Sequence, residues 1–151
     1  MITEQAAEQV EEWIADAVAA GARILCGGKR NGAMFEPTIV ADVSPDMNVS
    51  CMEVFAPVVT VEEYKTFEDA LNRVNDSAFG LQAGVFTRNF QNVFKAYEEL
   101  EVGGVIVNDV CAYRIDHMPY GGVKDSGFGR EGIRYAMEEM TELKLLAVNP
   151  L

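Results

Sequence analysis

Pro57-Val-Val-Thr-Val-Glu-Glu-Tyr64, Thr66-Phe-Glu-Asp-Ala-Leu-Asn-Arg-Val-Asn75, Leu81-Gln-Ala-Gly-Val-Phe-Thr87, Asn89-Phe-Gln-Asn-Val-Phe-Lys-Ala-Tyr-Glu-Glu-Leu-Glu101 and Val105-Ile-Val-Asn108 follow one another through the middle of the chain. The first, third and fifth are short valine-rich runs that read as strands. The second opens on an N-cap threonine and places Ala70, Leu71 and Val74 at helical spacing. The fourth carries Phe90, Val93, Phe94, Tyr97 and Leu100 on one helical face, and Gly103 and Gly104 stop it. A β-α-β-α-β order predicts an α/β fold with a mostly parallel sheet and flanking helices, whose ligands sit beyond the C-terminal strand ends. The loop Asn108 to Met118 is therefore the place to look for a site.

The flanks extend this reading. Ala6, Val10, Trp13, Ile14, Ala17 and Val18 share a helical face between Thr3, an N-cap, and Gly21, a stop. Ala22 to Cys26 and Phe35 to Val40 read as strands around a turn at Gly27 to Gly32. Pro119 to Gly132 holds five glycines in fourteen residues and leads into a last helix, Arg130 to Thr141, with Ile133, Met137 and Met140 along one side. Leu143 to Val148 is expected to close as a strand. With 151 residues and no linker or repeat, the chain is expected to form a single domain, residues 1–151.

Composition excludes several function classes. Twelve basic against 24 acidic residues give a net charge of −12, which repels nucleic-acid phosphates and anionic lipid surfaces. No nucleic-acid or membrane partner is expected. Cys26, Cys51 and Cys111 are odd in number and widely spaced, unlike a disulfide framework, and reduced thiols fit a cytoplasmic protein. With His117 as the single histidine, a transition-metal site lacks its usual ligands, and no metal is expected.

Gly127-Phe-Gly129-Arg-Glu-Gly132 matches the G-x-G-x-x-G fingerprint of dinucleotide-binding proteins letter for letter. Its context does not: Val-Lys-Asp-Ser precedes it where a hydrophobic strand is needed, and Asn149 stands near the position of the ribose-binding acid. The segment reads instead as a tight turn whose glycines adopt positive φ. Cys111 and His117 could form a thiolate pair, which leaves a thiol hydrolase as one rival function. A non-catalytic, self-associating module is the other. The adjacent pairs Glu62-Glu63 and Glu138-Glu139 point to different sides of their elements and read as solvated.

Four motifs in order narrow the field. Glu53-Val-Phe55-Ala-Pro57, Gly80-Leu-Gln-Ala-Gly-Val-Phe-Thr87, Gly103-Gly-Val-Ile-Val-Asn108 and Pro119-Tyr-Gly-Gly-Val-Lys-Asp-Ser-Gly-Phe-Gly-Arg-Glu131 together resemble the NAD(P)-dependent aldehyde dehydrogenase superfamily. The run from Arg114 to Glu131 looks closest to its branch of lactaldehyde and non-phosphorylating glyceraldehyde-phosphate dehydrogenases. The resemblance implies the C-terminal part of that family's catalytic domain. It also implies that the Rossmann-type cofactor domain, the nucleophilic cysteine and the general-base glutamate lie upstream. None of the three cysteines sits in the family's Gly-Gln-x-Cys context. The chain thus reads as a fragment with no catalytic residue of its own, inactive alone.

Family positions imply roles for particular residues. Glu53 matches the glutamate that accepts hydrogen bonds from the nicotinamide ribose hydroxyls of NAD or NADP, and Phe55 the aromatic that packs beside them. Ala56 stands where the family has glycine. Tyr120 matches the aromatic lining the aldehyde pocket, and the loop Asn108 to Met118 forms a wall of the substrate tunnel, which makes Tyr113, Arg114 and His117 pocket candidates. Arg114 has a planar fork suited to a carboxylate or phosphate, which points to a small anionic or hydroxylated aldehyde. In the family, a cysteine thiohemiacetal passes hydride to NAD(P)+ and water then releases the acid. Family chains associate, so a homo-oligomer is expected.

Overall fold

The computed structural model describes residues Met1–Pro150, which fall into two compact units, one from Met1 to Lys65 and one from Thr66 onward.

In the first unit, helix α1 (Glu4–Ala19) starts where the Thr3 side chain accepts a hydrogen bond from the Ala6 N–H. Its apolar stripe turns Ala7, Val10, Ile14 and Ala17 inward. Strand β1 (Arg23–Cys26) follows, then the two-residue strands β2 (Arg30–Asn31) and β3 (Met34–Phe35), which pair with each other antiparallel. Strand β4 (Thr38–Ala41) is the buried centre of a three-stranded sheet, antiparallel to β1 and parallel to β5 (Val58–Val61), with the short helix α2 (Asn48–Cys51) between them. Val10, Ile14, Ala17, Ala22, Val40, Val43 and Val49 form the core, and Trp13, Val54, Ala56 and Val58 pack on it. Arg30 ties the acidic side of α1 to the β2–β3 turn: its Nε donates to Glu11 at 2.7 Å, with Glu4 and Glu8 close by.

The second unit contains the predicted βαβ pattern. Helix α3 (Phe67–Asn75) is capped by Thr66, whose hydroxyl accepts from the Asp69 N–H. Strand β6 (Phe79–Gly80) leads into β7 (Gln82–Val85), helix α4 (Phe90–Glu99) is capped by Asn89, and β8 (Gly104–Val107) lies parallel to β7. Leu71, Val85, Ala96 and Leu100 make this unit's core. The Asn75 side chain joins the helix ends, donating to the Glu99 carbonyl at 2.7 Å and accepting from the Glu101 N–H at 2.8 Å. Strand β9 (Val123–Lys124) returns to pair antiparallel with β6, and helix α5 (Ile133–Glu139) follows. Gly103 is fixed by close approach: a Cβ there would lie 1.6 Å from the Gly121 carbonyl oxygen.

The fold is α/β, and three features differ from the sequence reading. Among the described residues the strands are shared among one three-stranded and three two-stranded sheets, with β5 hydrogen-bonded to β4 and β7 to β8. Residues 143–148, read as a strand, have no ladder partner among the described residues, and Leu143, Leu145, Leu146 and Val148 stand exposed. A strand is defined by its neighbour, and a short apolar run alone does not supply one. Helix α4 buries only part of its apolar face. Ala96 and Leu100 turn inward while Phe90, Phe94 and Tyr97 are exposed, because at 100° per residue the apolar positions span an arc of roughly 160°, wider than the unit covers. Ile133 and Met137 of α5, and Met140 directly after it, are exposed in the same way.

Candidate functional site

Each unit carries one group of the residues singled out above. In the first, the segment between α2 and β5 alternates: Val54 and Ala56 pack on the core, which turns Glu53 and Phe55 outward. Phe55 is 85% exposed and holds φ at +42°, a left-handed conformation that an aromatic side chain rarely takes. Such a residue costs on the order of 1–3 kcal/mol and persists only when its surroundings impose it. Here the anchors are local: Val54 and Ala56 are held by the core, the Val58 N–H donates to the Ala56 carbonyl at 2.7 Å, and the Thr38 N–H donates to Pro57 at 2.8 Å. Ala56 itself keeps an ordinary negative φ, so the position where the family has glycine needs no glycine here. Glu53 makes no hydrogen bond or ion pair among the described residues. A free carboxylate can accept hydrogen bonds from both hydroxyls of a vicinal diol and an outward aromatic ring can pack on a flat ring, so the chemistry of these two residues fits a nicotinamide ribose.

The second group lies in the loop at the C-terminal end of β8. Asn108 turns the chain out of the strand with φ at +58°, a conformation asparagine tolerates, and its side-chain oxygen accepts from the Thr87 N–H at 2.9 Å. The Tyr113 N–H donates to the Val110 carbonyl at 3.1 Å, closing a turn. Arg114 then places its guanidinium 4.5 Å from the centroid of the Tyr120 ring and forms an ion pair with Glu131. Tyr120 and Glu131 are joined by two backbone hydrogen bonds, Tyr120 N–H to Glu131 at 3.1 Å and Glu131 N–H to Tyr120 at 2.6 Å.

His117 belongs to a different edge of the same loop. It lines a shallow groove of about 500 Å³ with Ile133, Arg134, Met137, Glu138 and Thr141. There the Glu138 carboxylate, hydrogen-bonded to Arg134, pushes the Arg134 guanidinium above its ordinary value. No hydrogen bond joins Cys111 to His117 among the described residues, and all three cysteines are exposed and free. The thiolate pair considered from sequence is thus not assembled. The glycine-rich run behaves as a turn: Gly127, Gly129 and Gly132 take φ of +118°, +75° and +118°. Among the described residues no group of histidine, cysteine and carboxylate side chains could hold a metal ion, and no helix is long and apolar enough to cross a membrane.

Of the residues read from sequence, the structure brings Arg114 together with Tyr120, leaves Glu53 and Phe55 both exposed in one segment, and keeps Tyr113 and His117 in the loop apart from the Arg114–Tyr120 pair. Glu131 lies in the fourth motif with no role legible from sequence, and Asn108, the last residue of the strand and the first of the site loop, makes the left-handed exit that an asparagine directly after a valine run signals.

The aldehyde dehydrogenase family profile matches residues 1–146. The chain belongs to the aldehyde dehydrogenase family. It is 54% identical to 3-sulfolactaldehyde dehydrogenase from Priestia aryabhattai over 149 residues, covering 99% of this chain and 31% of that protein. In structure it is similar to aldehyde dehydrogenase 21 from Physcomitrella patens, solved with the reaction product succinate, at TM-score 0.92 and 48% identity over 94% of this chain and 30% of that one. It is also similar to glyceraldehyde-3-phosphate dehydrogenase GapN from Methanocaldococcus jannaschii, solved with NADP, at TM-score 0.89 and 42% identity over 95% of this chain and 31% of that one. The chain thus spans about a third of the length of these aldehyde dehydrogenases.

Proposed function

We propose that this chain supplies the ribose-binding and aldehyde-binding residues of an NAD(P)-dependent aldehyde dehydrogenase that oxidises a small anionic or hydroxylated aldehyde to the acid. The observation that carries this reading is Phe55: an exposed aromatic held at a strained φ directly after Glu53, whose carboxylate is free. Glu53 would accept hydrogen bonds from the ribose hydroxyls of NAD or NADP, and Phe55 would pack beside the ribose and nicotinamide. The nicotinamide, when bound, accepts the hydride. In the other unit Arg114, stacked on Tyr120, would hold the substrate's anionic or hydroxyl end, with Tyr113 and His117 in the tunnel wall. Three relatives support an anionic aldehyde by name: 3-sulfolactaldehyde dehydrogenase, sulfoacetaldehyde dehydrogenase and the succinate complex of aldehyde dehydrogenase 21.

None of the cysteines has the family's nucleophile context, so chemistry through a thiohemiacetal requires a cysteine that this chain does not provide. The chain by itself is then inactive and holds the cofactor very weakly, since Glu53 and Phe55 reach one end of it only. It acts in the cytoplasm and associates with itself, the uncovered apolar residues of 143–148 and α4 favouring association. The test is a graft. Residues 1–149 replace the matching segment of the Priestia aryabhattai enzyme, and NAD(P)H formation from 3-sulfolactaldehyde is followed for the chimera and for the chain alone. The reading expects turnover by the chimera and none by the chain. A folded chimera without activity, or an active isolated chain, overturns it.

A further inference from the structure

The surroundings of Arg114 carry a specificity argument. Its guanidinium has five N–H donors in a fixed fork. Nη2 donates to the Glu131 carboxylate, and among the described residues Nε and Nη1 have no other acceptor. The Tyr120 ring, 4.5 Å away, covers one face. Ring and carboxylate are not independent, because the paired backbones of Tyr120 and Glu131 fix them to each other. Arg114 is therefore held on two sides by one rigid jaw, with donors still free, and its positive charge is balanced by one negative charge at hydrogen-bond distance.

We propose that Glu131 is a positioning and specificity-determining residue, which orients the Arg114 fork and cancels its charge so that the subsite accepts a singly charged sulfonate or carboxylate and discriminates against a doubly charged phosphate monoester. The inference rests on the reading of Arg114 as the substrate's anion contact. The open N–H groups can bond two oxygens of either anion alike. They differ in the second negative charge, which meets the Glu131 carboxylate. One additional like-charge contact at about 6 Å in a water-like dielectric is worth about threefold in affinity.

The test uses the full chain, labelled with ¹⁵N, and two probes: methanesulfonate and methyl phosphate. Both are titrated at about pH 8, above the second ionisation of a phosphate monoester near 6, while the backbone amide resonances of Tyr120 and Glu131, present in every variant, are followed. In Glu131→Gln, whose backbone pairing with Tyr120 is retained, methyl phosphate affinity should rise about threefold more than methanesulfonate affinity. Glu131→Asp, which keeps the charge, should hold the wild-type ratio, and Arg114→Gln should lose both anions. If Arg114→Gln loses both but the ratio in Glu131→Gln stays at the wild-type value, or moves equally in Glu131→Asp, the selector role is overturned and the Arg114 contact stands. If the wild-type chain binds neither anion, or Arg114→Gln binds both unchanged, the selector and the Arg114 contact fall together.

Discussion

The Arg114 guanidinium lies over the Tyr120 ring, 4.5 Å from its centroid. A stacked, half-exposed arginine of this kind gains about 0.5–1 kcal/mol from the ring and is ordered before any ligand arrives. Removing either partner should therefore weaken a bound anion by different routes. In the chimera, Arg114→Gln should raise KM for 3-sulfolactaldehyde about tenfold or more, the loss of a charged hydrogen bond, and leave KM for an uncharged aldehyde nearly unchanged. Tyr120→Leu should give a smaller rise in the same direction. Steady-state kinetics on the two aldehydes checks this, and equal KM increases for both would contradict it.

The fold of the first unit depends on one helix stripe and its cap. Ile14 is 3% exposed in the core, so Ile14→Ala should cost about 2–5 kcal/mol. Thr3→Ala removes the hydroxyl that accepts from Ala6 and should cost about 0.5–2 kcal/mol. Urea unfolding followed by Trp13 fluorescence reads both, since Trp13 packs on that core.

Much of this was legible because caps and stripes are local. Thr3, Thr66 and Asn89 each cap the helix that the sequence pattern starts at them, and the β7–α4–β8 unit follows from valine runs around an amphipathic segment. What escaped was non-local. Phe79–Gly80 pairs with Val123–Lys124, far along the chain, and neither dipeptide has a period to read. Residues 143–148, Leu-Lys-Leu-Leu-Ala-Val, are an apolar run of strand length that finds no partner among the described residues. The same division holds for the site. Glu53 and Phe55 lie in one motif with the inward anchors Val54 and Ala56 interleaved, so their outward placement follows from a local pattern. The partnership of Arg114 with Glu131 exists only because the chain folds back at Tyr120, and no spacing rule announces it.

The pair Lys95 and Glu68, linking α4 to α3, should be felt in a defined pH window. Its hydrogen bond to Lys95 holds the Glu68 carboxyl below the ordinary glutamate range, and the same bond raises Lys95. A carboxylate with a depressed folded-state pKa contributes stability above its unfolded value and loses it as pH falls through the folded one; a raised lysine loses its share at alkaline pH. Wild type should therefore exceed Glu68→Gln slightly in Tm at pH 7, and the difference should shrink as pH falls below the ordinary glutamate range. Because the pair is exposed, about 1 M salt should also erase it.

Cysteine reactivity separates this account from a thiol hydrolase. Cys26, Cys51 and Cys111 are all exposed and free, and Cys111 has no hydrogen bond to His117. Iodoacetamide at neutral pH should modify the three at similar rates, read by peptide mass spectrometry over time. A Cys111 that reacts many times faster, and slows in His117→Ala, would restore the hydrolase.

Glu53 and Phe55 are proposed to hold the nicotinamide ribose. The most direct measurement is the KM for NAD(P)+ of the chimera carrying Glu53→Gln, beside the unmodified chimera, at saturating aldehyde. A carboxylate accepting from a diol contributes about 1.5–3 kcal/mol, so the account predicts a KM increase of about ten- to a hundredfold, with Phe55→Ala moving the same constant. A cofactor KM unchanged in Glu53→Gln would show that the ribose is held elsewhere and would contradict the account.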